Sequence, residues 1–433
     1  MRNPVDDLPG PAGASANSTV RADVAVIGGG VVGHGIAWEA QRSGRSVALI
    51  DDSPGNGASW AAAGMLAPVS ELHYQEEDLL ELMLEASSRW PGFAAGIAGA
   101  TGADCGYLTT PTLAVGADAA DRRALMDLRA VQQANGLGVE PLTVREARKR
   151  EPLLSPAIAC ALDTPADHQV DPRRLVAAMR LALAGAALKS PELAAAGAVD
   201  GYAVPDRAAG LLWEGGSVVG TSLAGGGTVL ATETIVANGL QAGDLGGLPD
   251  GLDLPLRPVH GDILRLAVPQ HLQPLVTSTV RGLVHGVPVY IVPRQDGTVV
   301  IGATQREDAL SDAVSAGGVY QLLRDAQALV PAVAELELLE CTARARPGTP
   351  DNAPLLGRVP VDPGSGNPAA GHVPGLIIAT GFFRHGVLLT PAAAAICTAL
   401  LDGTSDSRWS PFSPERFSRP AAAATTPHIK ETA

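Results

Sequence analysis

Lysine and cysteine are both scarce in this chain of 433 residues. The lysines are Lys149, Lys189 and Lys430, so a mechanism that needs a lysine nucleophile or a Schiff base has few candidates. The four cysteines stand far apart and none belongs to a C-x-x-C pair, which argues against a zinc ribbon and against a disulfide framework. This pattern favours a reduced, cytoplasmic protein.

Positive charge is also in deficit. The chain has 31 Lys and Arg against 45 Asp and Glu, which leaves a formal net charge of −14. A strongly acidic surface repels phosphate backbones, so nucleic acid is not an expected partner. At about 100–200 residues per domain, the length predicts two or three folding units.

Long apolar runs are lacking as well. Residues 1–21 contain Pro, Gly, Asp and Ser but no apolar core of a secretory signal, so we predict a disordered tail there. Residues 420–433 predict a second loose tail. The longest apolar run, residues 375–401, contains Arg384 and Pro391, which leave too short a stretch to span a bilayer. We therefore predict no transmembrane segment.

The strongest local pattern is DVAVIGGGVVGHGIAWEAQRSGRSVALIDD, which begins at Asp23. It predicts a strand over residues 24–27, a helix of small residues, and a second strand over residues 47–50. Strand, helix and strand in about thirty residues form one βαβ unit.

Glycines lie at the turn of this unit in the spacing of a dinucleotide fingerprint. Gly28, Gly30 and Gly33 form G-x-G-x-x-G, which allows a tight turn, close approach of a pyrophosphate, and close packing of the helix on the strand. Asp51, at the end of the second strand, is placed to accept hydrogen bonds from a ribose. The pattern predicts a dinucleotide site but does not separate FAD from NAD.

Further segments follow the fingerprint in a fixed order. They are GASWAAAGMLAP (57–68), HQVDPRRLV (168–176), RPVHGDILRL (257–266), VYIVPRQDGTVVIGAT (289–304), and RARPGTPDNAPLLG (344–357) with ATGFFRHGVLLTP (379–391). Together they resemble the D-amino-acid-oxidase superfamily of flavoproteins, and most of all glycine oxidases of the kind linked to thiamine biosynthesis. The resemblance implies FAD as the dinucleotide, held without a covalent bond.

Three residues are candidates for binding a carboxylate. Arg346 lies in R-P-G-T, where proline and glycine hold a bend, and its planar guanidinium can bind a carboxylate through two hydrogen bonds. Arg384 stands in an apolar segment, where it is either functional or costly to bury. Tyr290 precedes IVPR on a β-like run and can add a hydroxyl hydrogen bond. The resemblance implies that all three bind the substrate carboxylate. The structural alternatives are an ion pair for Arg346, a side chain that reaches the surface or pairs with an internal acid for Arg384, and simple packing for the tyrosine.

The resemblance also implies which residues contact FAD. The predicted contacts are Gly28, Gly30, Val31, Val32, Gly33, Asp51, Asp52, Ser59, Ala62, Gly64, Met65, Gly381, His385, Gly386, Val387 and Leu388. No histidine pair has the spacing of metal ligands, so no metal site is expected. Thr390 and Pro391 predict the start of a helix, and the resemblance implies that its N-terminus faces the pyrimidine edge of the flavin.

The predicted fold class is α/β, or α+β overall, with a Rossmann-like FAD-binding domain and a substrate domain whose sheet is largely antiparallel. The predicted boundaries are 22–74, 167–247 and 341–403 for the FAD-binding domain, and 75–166 and 248–340 for the substrate domain.

The leading hypothesis is FAD-dependent oxidative deamination of glycine or another small amine acid. Hydride transfer from the α-carbon yields an imine, which hydrolyses to an oxo acid and ammonia, while oxygen takes up the electrons as hydrogen peroxide. The resemblance implies that glycine imine passes to a thiazole synthase, and it favours a homo-oligomer. Two alternatives stay open: a dehydrogenase of D-amino acids or N-methyl amino acids that uses a quinone or carrier, and a flavin-binding protein without turnover.

Overall fold

The computed structural model describes residues 18–72, 76–185, 198–307, 312–363 and 371–419. The helices of this part of the chain are α1 (Val31–Arg42), α2 (Ala58–Ala61), α3 (Glu77–Thr101), α4 (Ala119–Ala134), α5 (Val144–Arg150), α6 (Pro172–Gly185), α7 (Ala316–Leu329) and α8 (Gly386–Leu401).

The strands form two sheets of eight and one small pair. They are β1 (Thr19–Ile27), β2 (Val47–Ile50), β3 (Met65–Leu66), β4 (Thr112–Gly116), β5 (Glu140–Leu142), β6 (Cys160–Thr164), β7 (His168–Gln169), β8 (Ala203–Val204), β9 (Ala208–Glu214), β10 (Ser217–Leu223), β11 (Thr228–Val236), β12 (Arg257–Ala267), β13 (Thr279–Val284), β14 (Val287–Pro293), β15 (Thr298–Gly302), β16 (Glu337–Gly348), β17 (Leu355–Pro360) and β18 (His372–Thr380).

The first sheet has the order β17-β18-β11-β1-β2-β8, and β10 and β9 extend it beside β11. β1 runs parallel to β2 and β11, and α1 connects β1 to β2, which confirms the predicted βαβ unit. Helices α1, α3, α6 and α8 share one hydrophobic core, in which Ile36, Trp90 and Leu389 are buried. Burial of these apolar side chains is the main stabilising term for the layer.

The second sheet has the order β16-β12-β15-β14-β13-β4-β6-β5. All its pairs are antiparallel except β13 with β4. Helix α7 packs on it through a separate core that contains Leu322 and Leu329. The two sheets confirm the predicted fold class.

The structure differs from the predicted boundaries at three places. β1 begins at Thr19, inside the predicted tail 1–21, because residues 19–22 pair with β11; residues 1–17 and 420–433 lie outside the described part. β16 belongs to the second sheet, although its residues from 341 onward were assigned to the FAD-binding domain, because it pairs with β12 along its length. α3 packs against α8 rather than the second sheet, although it lies within 75–166.

Helix α8 begins earlier than predicted. It starts at Gly386, and Thr390 is inside it, donating its Oγ1 hydrogen bond to the carbonyl oxygen of Gly386 at 2.8 Å. Pro391 lies near the start of the helix, where its missing N–H removes one helical hydrogen bond.

The stretch Phe383–Leu401 is long and apolar enough to cross a membrane, with a mean hydropathy of 1.4. Of the residues in its most apolar part, 56% are buried, and helix α8 packs against α1 and α3, as the central helix of a folded core does.

An ion-pair cluster joins helix α6 to the second sheet beside the segment 57–68. Arg173 of α6 donates to both carboxylate oxygens of Glu340 of β16, at 2.7 and 2.9 Å. The guanidinium of Arg173 lies 3.6 Å from the centroid of the Trp60 ring, and Trp60 Nε1 also donates to Glu340 at 3.2 Å. Burial raises the pKa of Glu340, but hydrogen bonds from Arg173 and Thr342 outweigh this effect and lower the pKa to about 2.

Glu340→Gln is expected to lower the free energy of unfolding near neutral pH by about 1 to 2 kcal/mol, allowing for the partial exposure of the pair. Because the pKa is lower in the folded state, this contribution is present above pH 4.5 and is lost as the pH falls from 4.5 to about 2. Urea unfolding of both proteins over that range measures it. The control is Glu39→Gln, which removes a more exposed pair with Arg42; a constant difference across the range would contradict the prediction.

Candidate active site

The turn between β1 and α1 has no room for side chains. Gly28 has a φ of +111°, and a Cβ there would lie 2.5 Å from the carbonyl oxygen of Ala237. A Cβ on Gly33 would collide with the carbonyl oxygen of Gly28. Gly30 is the N-cap of α1 and makes no side-chain capping bond. The helix start therefore offers backbone N–H groups and the positive end of its dipole to an anion such as a pyrophosphate.

Asp51 lies against this turn at the end of β2. Its Oδ2 accepts a hydrogen bond from the N–H of Gly29 at 2.6 Å, and its Oδ1 accepts one from Ser53 at 2.7 Å. A carboxylate oxygen has a second lone pair for a ribose hydroxyl. Asp52 is exposed, and among the described residues its carboxylate has no hydrogen-bond or ion-pair partner. The structure thus holds Asp51 at the glycine turn and leaves Asp52 exposed.

The first turn of α1 is linked to the segment 57–68. The hydroxyl of Ser59 accepts a hydrogen bond from the N–H of Val31 at 2.9 Å. The side chains of Val31 and Val32 are buried in the core, so these two residues can reach a cofactor through their backbone. Ala62 follows α2 directly and is partly buried.

Gly64 lets the same segment approach its neighbours closely. It has a φ of +74°, and a Cβ there would collide with the carbonyl oxygen of Val170. Met65 follows in β3, which pairs with β7, and it packs together with Tyr290 of the second sheet. The segment therefore lies between the glycine turn and the second sheet, where a flat ring attached to the pyrophosphate would have to pass.

The start of α8 is the second helix terminus at this site. A Cβ on Gly386 would lie 3.9 Å from Cγ2 of Val32, so the N-termini of α8 and α1 are neighbours. His385 is the N-cap and is 2% exposed, and Val387 and Leu388 are buried. The predicted contact Gly381 has a φ of +72° just before this start. Two positive helix ends side by side favour an electron-rich group between them.

Arg346 and Tyr290 lie on one face of the second sheet. A Cβ on Gly261 would come within 2.6 Å of the guanidinium nitrogens of Arg346, and a Cβ on Gly302 within 2.6 Å of Cζ of Tyr290. The two glycines therefore make the space in which these side chains lie. Arg346 is partly exposed, and no hydrogen-bond or ion-pair partner for its guanidinium exists among the described residues. An arginine in such a position is available to bind an anion.

Tyr290 is partly buried and has charged groups near its hydroxyl. Burial is the largest effect on its hydroxyl, and it raises the pKa of Tyr290 to about 12, against the opposing charge of Arg346. The hydroxyl stays protonated at physiological pH, so it is a hydrogen-bond donor beside the guanidinium. Arg346 and Tyr290 are thus brought together, as a carboxylate-binding role requires.

Arg384 has protein partners. Its Nε lies 3.1 Å from Oε2 of Glu71, and its Nη2 donates to Oε2 of Glu76 at 2.7 Å. Its guanidinium lies 5.1 Å from the centroid of the Phe383 ring. The alternative of an ion pair with internal acids is therefore what the structure shows for Arg384, and its role in substrate binding stays a prediction.

Sequence reasoning missed three charged residues of this site. Glu71 and Arg281 form an ion pair behind Tyr290, and Glu76 holds Arg384. None of the three lies in the motif segments, and single charged residues in mixed-polarity surroundings carry no sequence signal of their own. Arg281 lies opposite Tyr290 because of the register between β13 and β14, which is visible only in the folded structure.

The chain is similar to known proteins in both sequence and fold. A family model described as DAO, FAD dependent oxidoreductase, matches residues 23–400. The chain belongs to the DAO family. This confirms the superfamily that the motifs indicate, and it confirms FAD as the dinucleotide. The glycine turn, Asp51 and the paired helix starts fit the pyrophosphate, the ribose and the flavin ring of that cofactor.

Relatives within the DAO family extend over nearly all of the chain. A glycine oxidase from Geobacillus kaustophilus (strain HTA426) is 32% identical over 386 residues, which cover 89% of this chain and 94% of that protein. The crystal structure of glycine oxidase from Geobacillus kaustophilus superposes with a TM-score of 0.79 at 30% identity, covering 92% of this chain and 99% of that chain. A bifunctional protein ThiO/ThiG from Trichormus variabilis is 30% identical over 95% of this chain, which spans 57% of that longer protein.

Proposed function

We propose that this protein is an oxidase of glycine or another small amine acid, which it converts with oxygen and water into an oxo acid, ammonia and hydrogen peroxide. The observation that carries the proposal is the guanidinium of Arg346, which has no protein partner in the described chain and lies beside the buried hydroxyl of Tyr290. The similarity to glycine oxidases supports the choice of substrate class.

The residues of the chain bind and orient the substrate. When bound, FAD would supply the hydride acceptor and the route for two electrons to oxygen. Arg346 holds the substrate carboxylate through two charge-assisted hydrogen bonds, and Tyr290 donates a third hydrogen bond. The apolar residues Ile263, Val292 and Val300 exclude water from the sheet face and favour the neutral amine. No protein base has to remove the α-hydrogen, because it leaves as hydride.

The visible spectrum of the purified protein tests the proposal. Recorded without oxygen, the flavin bands should bleach on addition of glycine, and they should return with one equivalent of peroxide when air is admitted. Bleaching that air does not reverse would identify a dehydrogenase with another acceptor. Bands that no small amino acid bleaches, with sarcosine and D-alanine included, would refute catalysis of this type.

Tyr290→Phe is expected to lower kcat/KM for glycine by about tenfold, because a hydrogen bond to a charged carboxylate contributes about 1.5 kcal/mol. Since the pKa of Tyr290 is raised to about 12, the wild-type profile should show no loss of activity from this hydroxyl near neutral pH. Steady-state peroxide assays over a range of pH measure both effects. The control is Tyr320→Phe, a change at a tyrosine that is 65% exposed on α7; equal effects in both variants would contradict the assignment.

Further parts of the hypothesis belong to the same proposal. The fused ThiO/ThiG relatives support a hand-over of glycine imine to a thiazole synthase, which a coupled assay of the two purified proteins would detect.

If FAD is held without a covalent bond, acid precipitation of the protein should release the flavin into the supernatant. A homo-oligomer and a cytoplasmic location remain predictions, which light scattering and cell fractionation test.

A further inference from the structure

Four charged side chains form a continuous chain beside Tyr290. Arg281 pairs with Glu71, Oε2 of Glu71 lies 3.1 Å from Nε of Arg384, and Nη2 of Arg384 lies 2.7 Å from Oε2 of Glu76. We call Arg281, Glu71, Arg384 and Glu76 the arginine–glutamate chain. Their side chains are only 8% to 21% exposed, so their charges act in a medium of lower dielectric than water.

The arginine–glutamate chain and Arg346 face the same space. Arg281 of β13 lies opposite Tyr290 of β14 in the antiparallel register, so the two side chains share a face of the sheet. The hydroxyl of Tyr290 is within electrostatic range of Arg346, Glu71 and Arg281 alike. A ligand held by Arg346 and Tyr290 therefore meets the field of Glu71 and Arg281, and Glu71 links this pair to Arg384.

Among the three arginines of this pocket, only Arg346 lacks an acidic partner in the described part of the chain. Arg281 is paired with Glu71, and Arg384 is paired with Glu71 and Glu76. Neighbouring charged groups have partners of their own: Arg257 lies 2.5 Å from Glu307, and Arg294 lies 3.9 Å from Asp171.

Asp167 is the remaining acid near the chain. Both of its carboxylate oxygens accept backbone N–H bonds, from Val69 and Ser70 at 3.0 Å each, and they hold the turn that carries Glu71. Burial raises the pKa of Asp167 to about 6. At mildly alkaline pH it is ionised, so Glu71, Glu76 and Asp167 together carry one more charge than Arg281 and Arg384.

We propose that the arginine–glutamate chain makes this pocket selective for substrates with one carboxylate and excludes those with a second. The proposal rests on the function proposed above. One carboxylate neutralises the unpaired positive charge at Arg346. A second carboxylate on the same small molecule would find no further unpaired arginine among the described residues of this pocket, because Arg281 and Arg384 are already paired with glutamates. It would also meet the excess negative charge on this side of the pocket, which repels it.

The repulsion is large enough to measure. For one unit charge at a distance of about 7 Å and an effective dielectric constant of about 20, the change in binding is roughly tenfold to a hundredfold. Glu71 is then a positioning and specificity-determining residue. It acts by fixing Arg281 and Arg384 and by setting the charge of the pocket, without contact with the reacting atoms.

The test compares two unreactive ligands of nearly equal shape, malonamate with one carboxylate and malonate with two. Calorimetric titration of the FAD-loaded protein at mildly alkaline pH should show malonamate binding at least about tenfold more tightly than malonate. Glu71→Gln should reduce this ratio by about tenfold. The double variant Glu71→Gln with Arg281→Gln restores the original net charge and should restore the ratio.

The matched control is Glu233→Gln. Glu233 is held by Arg358 through two hydrogen bonds and is 19% exposed, but it lies in the first sheet, so the ratio should not change. If Glu71→Gln does not fold, Arg281→Gln alone serves as the test, with an increased ratio expected. The proposal is overturned if the wild-type protein binds both ligands equally or neither, or if the double variant behaves as Glu71→Gln does.

Because these titrations involve no turnover, they separate the two proposals. A protein that shows the expected ratios but does not oxidise glycine refutes the proposed function alone. A protein that oxidises glycine but shows no charge dependence refutes the selectivity alone.

Discussion

Arg346→Ala is expected to lower kcat/KM for glycine by about a hundredfold or more, with the thermal midpoint of unfolding nearly unchanged. A charge-assisted bidentate pair with the substrate carboxylate contributes about 3 kcal/mol, and all of it is lost with the guanidinium. The folded protein loses little, because the guanidinium of Arg346 has no ion-pair or hydrogen-bond partner among the described residues and the strand pairing of its backbone is kept. Steady-state peroxide assays and thermal unfolding of the FAD-loaded protein measure the two quantities.

This combination separates substrate binding from a structural role. An arginine that stabilised the fold through an ion pair would lower the unfolding midpoint when removed. Arg346→Lys is the conservative control: it keeps the charge but not the planar fork, so its loss of kcat/KM should lie between wild type and Arg346→Ala. Unchanged kinetics in both variants would remove Arg346 from the site.

Gly33→Ala is expected to weaken FAD binding by about a hundredfold, so that the protein is purified largely without its yellow colour. The added Cβ would collide with the carbonyl oxygen of Gly28, and relief of the collision must separate α1 from the turn that receives the pyrophosphate. Overpacking of this kind costs about 1 to 3 kcal/mol, and here it falls on the cofactor-binding conformation. Quenching of flavin fluorescence on titration of the apoprotein gives the dissociation constant.

A helical glycine in open space is the control for this change. Gly99 lies near the end of α3, and a Cβ there would have no neighbour within 4 Å. Gly99→Ala should keep full FAD affinity and add slightly to stability through helix propensity. Equal FAD affinity in Gly33→Ala and Gly99→Ala would show that the turn does not need a glycine at position 33.

The parts of the site that lie close together in sequence were predictable. The strand, the glycines, the helix and Asp51 occupy thirty consecutive residues, and each is recognised by local rules of periodicity and turn chemistry. The same holds for the antiparallel hairpin of β14 and β15, whose alternating apolar residues and Gly turn are local signals.

The errors concern boundaries and pairing partners. No local signal in residues 337–348 predicts that β16 pairs with β12 rather than with the first sheet. A strand of mixed polarity fits the edge of either sheet. The start of α8 was misplaced because Thr390 and Pro391 form a good local start, while the burial of Val387, Leu388 and Leu389 in the core extends the helix to Gly386. Tertiary packing outweighed the local preference.

The sequence by itself determined the dinucleotide turn and the fold class, because each depends on residue type and short spacing. The arginine and the tyrosine of the predicted carboxylate site are implied by the resemblance of the motif segments to a known family. Only the tertiary structure decided that Arg346 is unpaired while Arg384 is held by Glu71 and Glu76. Whether a buried charge is available or compensated depends on which distant side chains surround it. That is set by long-range packing, in which residues more than 300 positions apart come into contact.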